Sequence, residues 1–330
     1  MVDYLNHVIL QQFKNWMLPI AMIGGAVFYR WMGYLSFLSP YLIFLMLFIT
    51  YCKLDPRDFR PGKGHILLLV VQMALAGAFY LLVSPFDHTV AEGLFICVFM
   101  PTATAAPVIT SMLGGSISFV ATYSLLCNFF VALVGPSLLA AVGDNAEIGF
   151  VQSFLIILSK VAPLLLGPLL LSLCVRYVAP GLRRKICSSQ QLSFYLWAVA
   201  LFIVVGNCVS FVIGTWSESH AAAMSLMVVG SLAACLIQFL VGRRIGKRLE
   251  LDKSRYNQED GQESGGDMKV SCAQSLMQKN TVLGVWLAMT YMNPLASVAP
   301  AAYIAWHNIV NSWQLMQMEK QKSIILHKNG

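Results

Sequence analysis

Long apolar runs alternate along this chain with short polar connections. At roughly 20 residues per crossing, the length that a hydrocarbon core of about 30 Å requires, the pattern predicts about ten membrane-spanning helices. They cover 16–34, 36–52, 64–84, 91–113, 117–142, 149–177, 190–214, 219–241, 270–292 and 295–317. An amphipathic stretch from His7 to Lys14 precedes the first and is expected to lie along the interface. The hydrophilic stretch 243–269 reads as a solvated linker between spans. The predicted class is an all-α membrane protein without a soluble domain.

The fourth segment carries an interruption. Its centre reads Phe99-Met100-Pro101-Thr102-Ala103-Thr104-Ala105-Ala106-Pro107-Val108. Each proline removes a backbone donor and clashes with the preceding turn, so a continuous helix is not expected. Thr104 is placed to cap a second half-helix, and Pro107 suits its first turn. Unwound backbone at membrane depth is tolerated only where it lines a cavity or is buried in protein. That makes the break a candidate binding site.

Composition agrees with the pattern: 58% of residues are hydrophobic and 11% charged, and the mean hydropathy is +0.69. The net charge of +7 would suit a nucleic-acid partner if it were clustered, and it is not. All basic residues except Arg30, Lys160 and Lys279 fall before the first span, after the tenth, or around the loops of one face. Asp87, Glu92, Asp144, Glu147 and Glu218 occupy the other face. The positive-inside rule then places both termini in the cytoplasm of a multi-pass protein of the cell (inner) membrane. The eight cysteines lack metal or disulfide spacing. The N-terminus lacks the basic start and cleavage site of a signal peptide.

Ten spans divide into two sets of five, residues 1–142 and 143–330. An odd number per set forces the two halves to enter the membrane in opposite directions, the inverted repeat of many secondary transporters. The ninth span, fourth of its half, is rich in polar groups where the fourth is broken: Gln274, Gln278, Lys279, Asn280 and Thr281. Gln72 and Gln238 lie in the third span of each half.

Several of these stretches resemble the bile acid:sodium symporter family of the bile acid/anion/cation transporter superfamily. They are Pro101 to Thr110 with the Gly114-Gly115 turn, the span ending Gly135-Pro136-Ser137-Leu138-Leu139, Lys160 to Pro168, Gln274 to Thr281, and Trp306-His307-Asn308-Ile309. The resemblance implies a panel domain and a core domain, with broken spans four and nine crossing in the core. It also implies two sodium ions behind the crossing and an organic anion in front of it. The chain departs from that pattern at the ions. Ala106 and Pro107 stand where the family's sodium-ligating Ser-Asn pair would be, and Gln274 replaces the shared Glu. Lys279 takes the place of an Asn. Ser124, Gln72 and Gln278 retain ligating groups. No other cofactor is implied, and sodium or a proton is the possible coupling ion.

Lys279 lies midway along the ninth span, where a charge costs about 2.5–3.5 kcal/mol on insertion scales and by default marks function. Its ammonium could replace a sodium ion by binding carbonyls and glutamines, exchange a coupling proton, or pair with a substrate carboxylate. Alternatively, it snorkels to the cytoplasmic surface. Lys160, just before Pro163, is assigned a structural role at least as readily as a transport role. Substrate-binding candidates are Thr102, Thr104, Asn280, Thr281, His307 and Asn308; half-helix N-termini favour anions. A Thr hydroxyl bonding into its own helix, or a satisfied core histidine, is the plain alternative. Asn128 and Asn207 are expected in helix–helix hydrogen bonds.

The expected function is a secondary transporter of an organic anion, a carboxylate or bile-acid-like molecule, working by alternating access. Substituted sodium ligands make it sodium-independent or proton-linked. A sodium-coupled symporter using Gln72, Gln274 and Gln278 is the alternative within transport, and an anion-binding membrane sensor is the alternative outside it. No constellation for catalysis is seen, so no enzyme is expected.

Overall fold

The computed structural model describes residues 17, 19–52, 60–103, 105–143, 150–188, 190–216, 218–256 and 266–329. The N-terminal lead-in from His7 to Lys14, Thr104, Asp144 and Glu147 lie outside these. The described chain is helical. After a helical run at 19–27 come α1 (Tyr29–Leu35), α2 (Leu38–Tyr51), α3 (Lys63–Val83), α4 (His88–Phe99), α5 (Ala106–Met112), α6 (Ile117–Val142) and α7 (Phe150–Val178). Then follow α8 (Pro180–Ser188), α9 (Gln190–Thr215), α10 (Ala221–Tyr256), α11 (Met268–Met277), α12 (Thr281–Tyr291) and α13 (Val298–Asn329). No strand occurs among the described residues, and two isolated bridges join loop segments.

Four stretches, Lys63–Val83, Ile117–Gly135, Tyr195–Thr215 and Glu218–Glu250, are long and apolar enough to cross a membrane. Tyr29–Leu35 and Leu38–Ile49 form a further span as a pair bent by 67°. Shorter apolar helices include α4 and α12. This is an all-α, membrane-embedded protein.

Polar residues mark the helix starts. Asp87, Ser116, Asp267 and Asn280 each accept a backbone N–H of the first turn of α4, α6, α11 and α12. α7 runs unbroken through Pro163 and Pro168; the side chain of Lys160 lies outside the described residues. α10 exceeds its expected bounds. Its apolar part continues helically through Arg243, Arg244, Lys247 and Arg248 to Tyr256, so the first half of the expected linker is helix. At about 1.5 Å per residue α10 is about 50 Å long and projects beyond a bilayer core.

Two apolar clusters organise the packing. One joins α3, α4, α6 and α10 to α13; the other joins α2 and α9 to α5 and one side of α13. α10 lies directly on α11 because of Gly242 and Gly246, one turn apart. A Cβ on Gly242 would meet the backbone of Cys272 and Ala273, and one on Gly246 that of Met268 and Lys269. Small residues four apart are the usual means by which membrane helices approach closely. This contact seats α11, and hence the second broken helix.

Candidate functional site

The first break begins at Met100, whose φ of −52° and ψ of 145° are the extended conformation imposed before proline. Pro101 to Ala103 are unwound, and α5 starts at Ala106 with Pro107 in its first turn. Its N-cap position is Ala105, so α5 lacks a side-chain cap; the expected cap, Thr104, is outside the described residues.

The second break has no proline. α11 ends at Met277, Gln278 is extended at φ −79° and ψ 100°, and α12 restarts at Thr281 under the Asn280 cap. Its backbone is held by the first break. Ala103 N–H donates to the Gln278 carbonyl at 2.9 Å, and Asn280 N–H donates to the Pro101 carbonyl at 2.8 Å. Thr102 and Lys279 face each other as an antiparallel bridge. The two interrupted helices therefore cross at their unwound centres, and one offset of 177 residues relates the two donors, Ala103 and Asn280, and the two acceptors, Pro101 and Gln278.

The freed carbonyls are taken by protein donors. Gln72 Nε2 donates to Phe99 and Met100 at 3.1 and 3.3 Å. Asn128 Nδ2 donates to Thr102 at 3.1 Å, as expected of a helix–helix contact. Thr102 Oγ1 donates to Ser275 at 2.9 Å, and Tyr303 Oη to Met277 at 2.8 Å. Thr281 N–H donates to the Lys279 carbonyl at 3.0 Å. Gln72 in turn accepts from Tyr123 Oη at 2.8 Å, and Tyr303 Oη accepts from Gln238 Nε2 at 3.0 Å. Each open helix end thus has a glutamine–tyrosine pair, one from each half of the chain.

Of the resemblance-derived cation set, Gln274 and Gln278 are linked through Asn311, whereas Gln72 bonds to Phe99, Met100 and Tyr123 and Ser124 to Asn128. Gln274 Nε2 donates to Asn311 Oδ1 at 3.0 Å, and Asn311 Nδ2 donates to Gln278 Oε1 at 2.9 Å. Ser124 is fully buried, and its carbonyl accepts from Asn128 at 2.8 Å. No carboxylate belongs to this group. The crossing carbonyls already accept hydrogen bonds, whereas Gln274 Oε1 and Asn128 Oδ1 are buried without a hydrogen-bond partner among the described residues.

Lys279 corrects two expectations. It is 1% exposed, so it does not snorkel. Nor does it bind crossing carbonyls or glutamines in place of a sodium ion: Nζ has no hydrogen-bond partner among the described residues. Tyr123 and Asn311 already donate to the Gln72 and Gln278 side-chain oxygens it was expected to use.

A cavity of about 440 Å³ opens in front of the crossing, between α2 and α9 on one wall and α12 and α13 on the other. Ile43, Val204, Phe211, Leu283, Trp286 and Ile304 make it largely apolar; Ser36, Ser39, Asn207 and Asn280 add polar groups. Asn207, expected between helices, lines this space instead. A chamber of about 90 Å³ adjoins it through shared residues Ile43, Val204, Asn280 and Val282. Lys279, Asn280, Thr281, His307 and Asn308 form the chamber wall. Of the substrate-binding candidates, Asn280, Thr281, His307 and Asn308 thus share one chamber. Thr102 is fully buried in the crossing behind it.

Asn311, Tyr123 and Tyr303 are neighbours of the crossing that sequence reasoning missed. One signal was present: Tyr123 precedes Asn128 by the same spacing as Tyr303 precedes Asn308. No protein-family model matches this chain, and no curated protein matches it.

Proposed function

We propose that the protein is a sodium-independent secondary transporter of an organic anion. One observation carries the reading: two interrupted helices cross, bonded through their unwound centres, beside a cavity between two packed sets of helices. Such a site can be exposed alternately when one set moves against the other. In this reading the chain has ten spans in two inverted five-helix repeats, 1–142 and 143–330. α1, α2 and α7–α9 form a panel, and α3–α6 with α10–α13 form a core. Both termini face the cytoplasm of the cell membrane, and the relationship is to the bile acid:sodium symporter family. The reciprocal hydrogen bonds at the crossing and the duplicated glutamine–tyrosine pairs support the internal two-fold relation.

Sodium independence is supported by the hydrogen-bonded carbonyls of the crossing and by the glutamine that stands in place of the family's carboxylate. An anion entering against about −100 mV opposes roughly 2.3 kcal/mol, so an uncoupled carrier must exchange, co-transport a proton, or export. One observation favours residual sodium use as a second reading: Gln274 Oε1 is buried without a hydrogen-bond partner among the described residues. Uptake of labelled aryl and steroid acids into proteoliposomes, with sodium and with choline, separates the two. Equal uptake supports the proposal, and a strict sodium requirement refutes it.

A further inference from the structure

Four cations crowd the polar end of α10. Arg243, Arg244, Lys247 and Arg248 are close in sequence, with Arg243 and Lys247, and Arg244 and Arg248, one turn apart. Like charges at that spacing repel. Arg243 lies over the Phe239 ring at 5.5 Å. Arg244, Lys247 and Arg248 are exposed, and none of the three forms an ion pair among the described residues. The acid of α10 whose side chain is described, Glu250, turns instead to α11. There it accepts the Met268 N–H at 2.9 Å and pairs with Lys269 at 3.1 Å.

The face these cations occupy is the one α10 turns to lipid. Gly242 and Gly246 press the opposite side against α11. Leu226, Val229, Leu236, Ile237 and Leu240 are exposed along the apolar part of the helix. Arg244, Lys247 and Arg248 follow Leu240 at i+4, i+7 and i+8, so they continue that stripe without a change of face. Ala221 to Leu240 covers about 30 Å, one hydrocarbon core. At about 1.5 Å per residue Arg244 lies about 6 Å beyond Leu240 and Arg248 about 12 Å. Headgroups occupy that layer, within reach of all three long side chains. α3 repeats the pattern beside it, with its Gly64 against Leu249 of α10. Ile66, Leu67 and Val70 are exposed on α3, and Lys63 ends their stripe one and two turns before them. A merely solvated charge run needs no register with a lipid-facing stripe, still less on two adjoining helices. We infer that the end of α10 bearing Arg244, Lys247 and Arg248 is a binding surface for the phosphate head of an anionic phospholipid in the adjoining leaflet. The acyl chains of that lipid lie along Leu236, Ile237 and Leu240. This rests on embedding in a membrane and is independent of the carrier reading.

The test uses purified full-length protein in a neutral detergent, titrated with dioleoyl phosphatidylglycerol or dioleoyl phosphatidylcholine, lipids with the same chains and different head charge. Retained lipid is counted by native mass spectrometry. The anionic lipid is expected to bind at least about tenfold more tightly than the zwitterionic one, on the scale of a few cations at a lipid surface. That preference should shrink severalfold as salt rises from about 0.05 M to about 0.5 M. The triple variant Arg244→Gln, Lys247→Gln, Arg248→Gln should bring it to within about twofold and leave phosphatidylcholine binding unchanged, which also shows that the variant is folded. Removing three charges elsewhere, with Lys320→Gln, Lys322→Gln and Lys328→Gln, should leave the preference intact. Equal binding of the two lipids by the unsubstituted protein overturns the inference, as does a preference that survives the α10 substitutions. An equal loss in both triple variants overturns it too, because net charge and not this surface would then attract the lipid. Displacement of phosphatidylglycerol by an equal concentration of inorganic phosphate would assign the surface to a soluble anion and overturn the lipid assignment.

Discussion

Replacing Tyr303 with Phe tests whether the crossing is held by side chains at its open helix ends. The Tyr303 hydroxyl is fully buried, donates to the Met277 carbonyl at 2.8 Å and accepts from Gln238 Nε2 at 3.0 Å. Phe keeps the ring and removes both bonds, leaving a carbonyl and an amide hydrogen unsatisfied. Each such orphan costs about 1–3 kcal/mol in a protein interior. Interhelical hydrogen bonds in membranes average only about 0.6 kcal/mol, because the unfolded chain in lipid also finds partners. The main-chain orphan weighs more than a side-chain partner, since no rotamer can carry the Met277 carbonyl elsewhere, and the expected loss is about 1.5–3 kcal/mol. Tyr123→Phe is the internal control. Its hydroxyl donates only to Gln72 Oε1, which also accepts from Cys127 Sγ at 3.5 Å, and Gln72 keeps its grip on Phe99 and Met100. That variant should lose less than about 1 kcal/mol. Reversible unfolding in bicelles gives both values. Equal losses, or a Tyr303→Phe loss below about 0.5 kcal/mol, would refute the assignment of the Tyr303 hydroxyl to the crossing.

Lys279→Met should raise thermal stability, because it removes a buried amine that has no hydrogen-bond partner among the described residues; a destabilised variant contradicts this. Gln274→Glu restores a carboxylate where the family resemblance expects one. With the crossing carbonyls still bonded, its unfolding temperature should be the same in sodium and in choline, and a sodium-specific rise would show that the carbonyls open. Gly246→Leu should cost several kcal/mol, as typical overpacking of about 1–3 kcal/mol is compounded by backbone contact with Met268 and Lys269; expression and unfolding read this directly, and a neutral effect would contradict the close seating of α11.

The first break was legible because Pro101 and Pro107 act locally, through a missing donor and a steric clash. The second was visible only as a cluster of polar residues, because Gln278 and Asn280 are held open by residues 101 and 103, far away in sequence. Tyr123, Tyr303 and Asn311 were not legible. An aromatic or lone amide in an apolar segment looks like core until a distant helix end is found against it. The helical extension of α10 was read as linker because its charges dominate the composition, although Arg, Lys, Leu and Glu are good helix formers. The depth of Lys279 could be read from the sequence. Its lack of an acceptor depended on where every neighbouring donor went.

The most direct test of the account is counterflow in sodium-free proteoliposomes. The lumen is loaded with unlabelled 4-phenylbutanesulfonate, an anion that stays ionised and cannot leak as a neutral acid, and labelled probe is supplied outside. The account predicts transient accumulation of label, equal in choline and in sodium. Label that binds without entering, or that enters only with sodium, would contradict it.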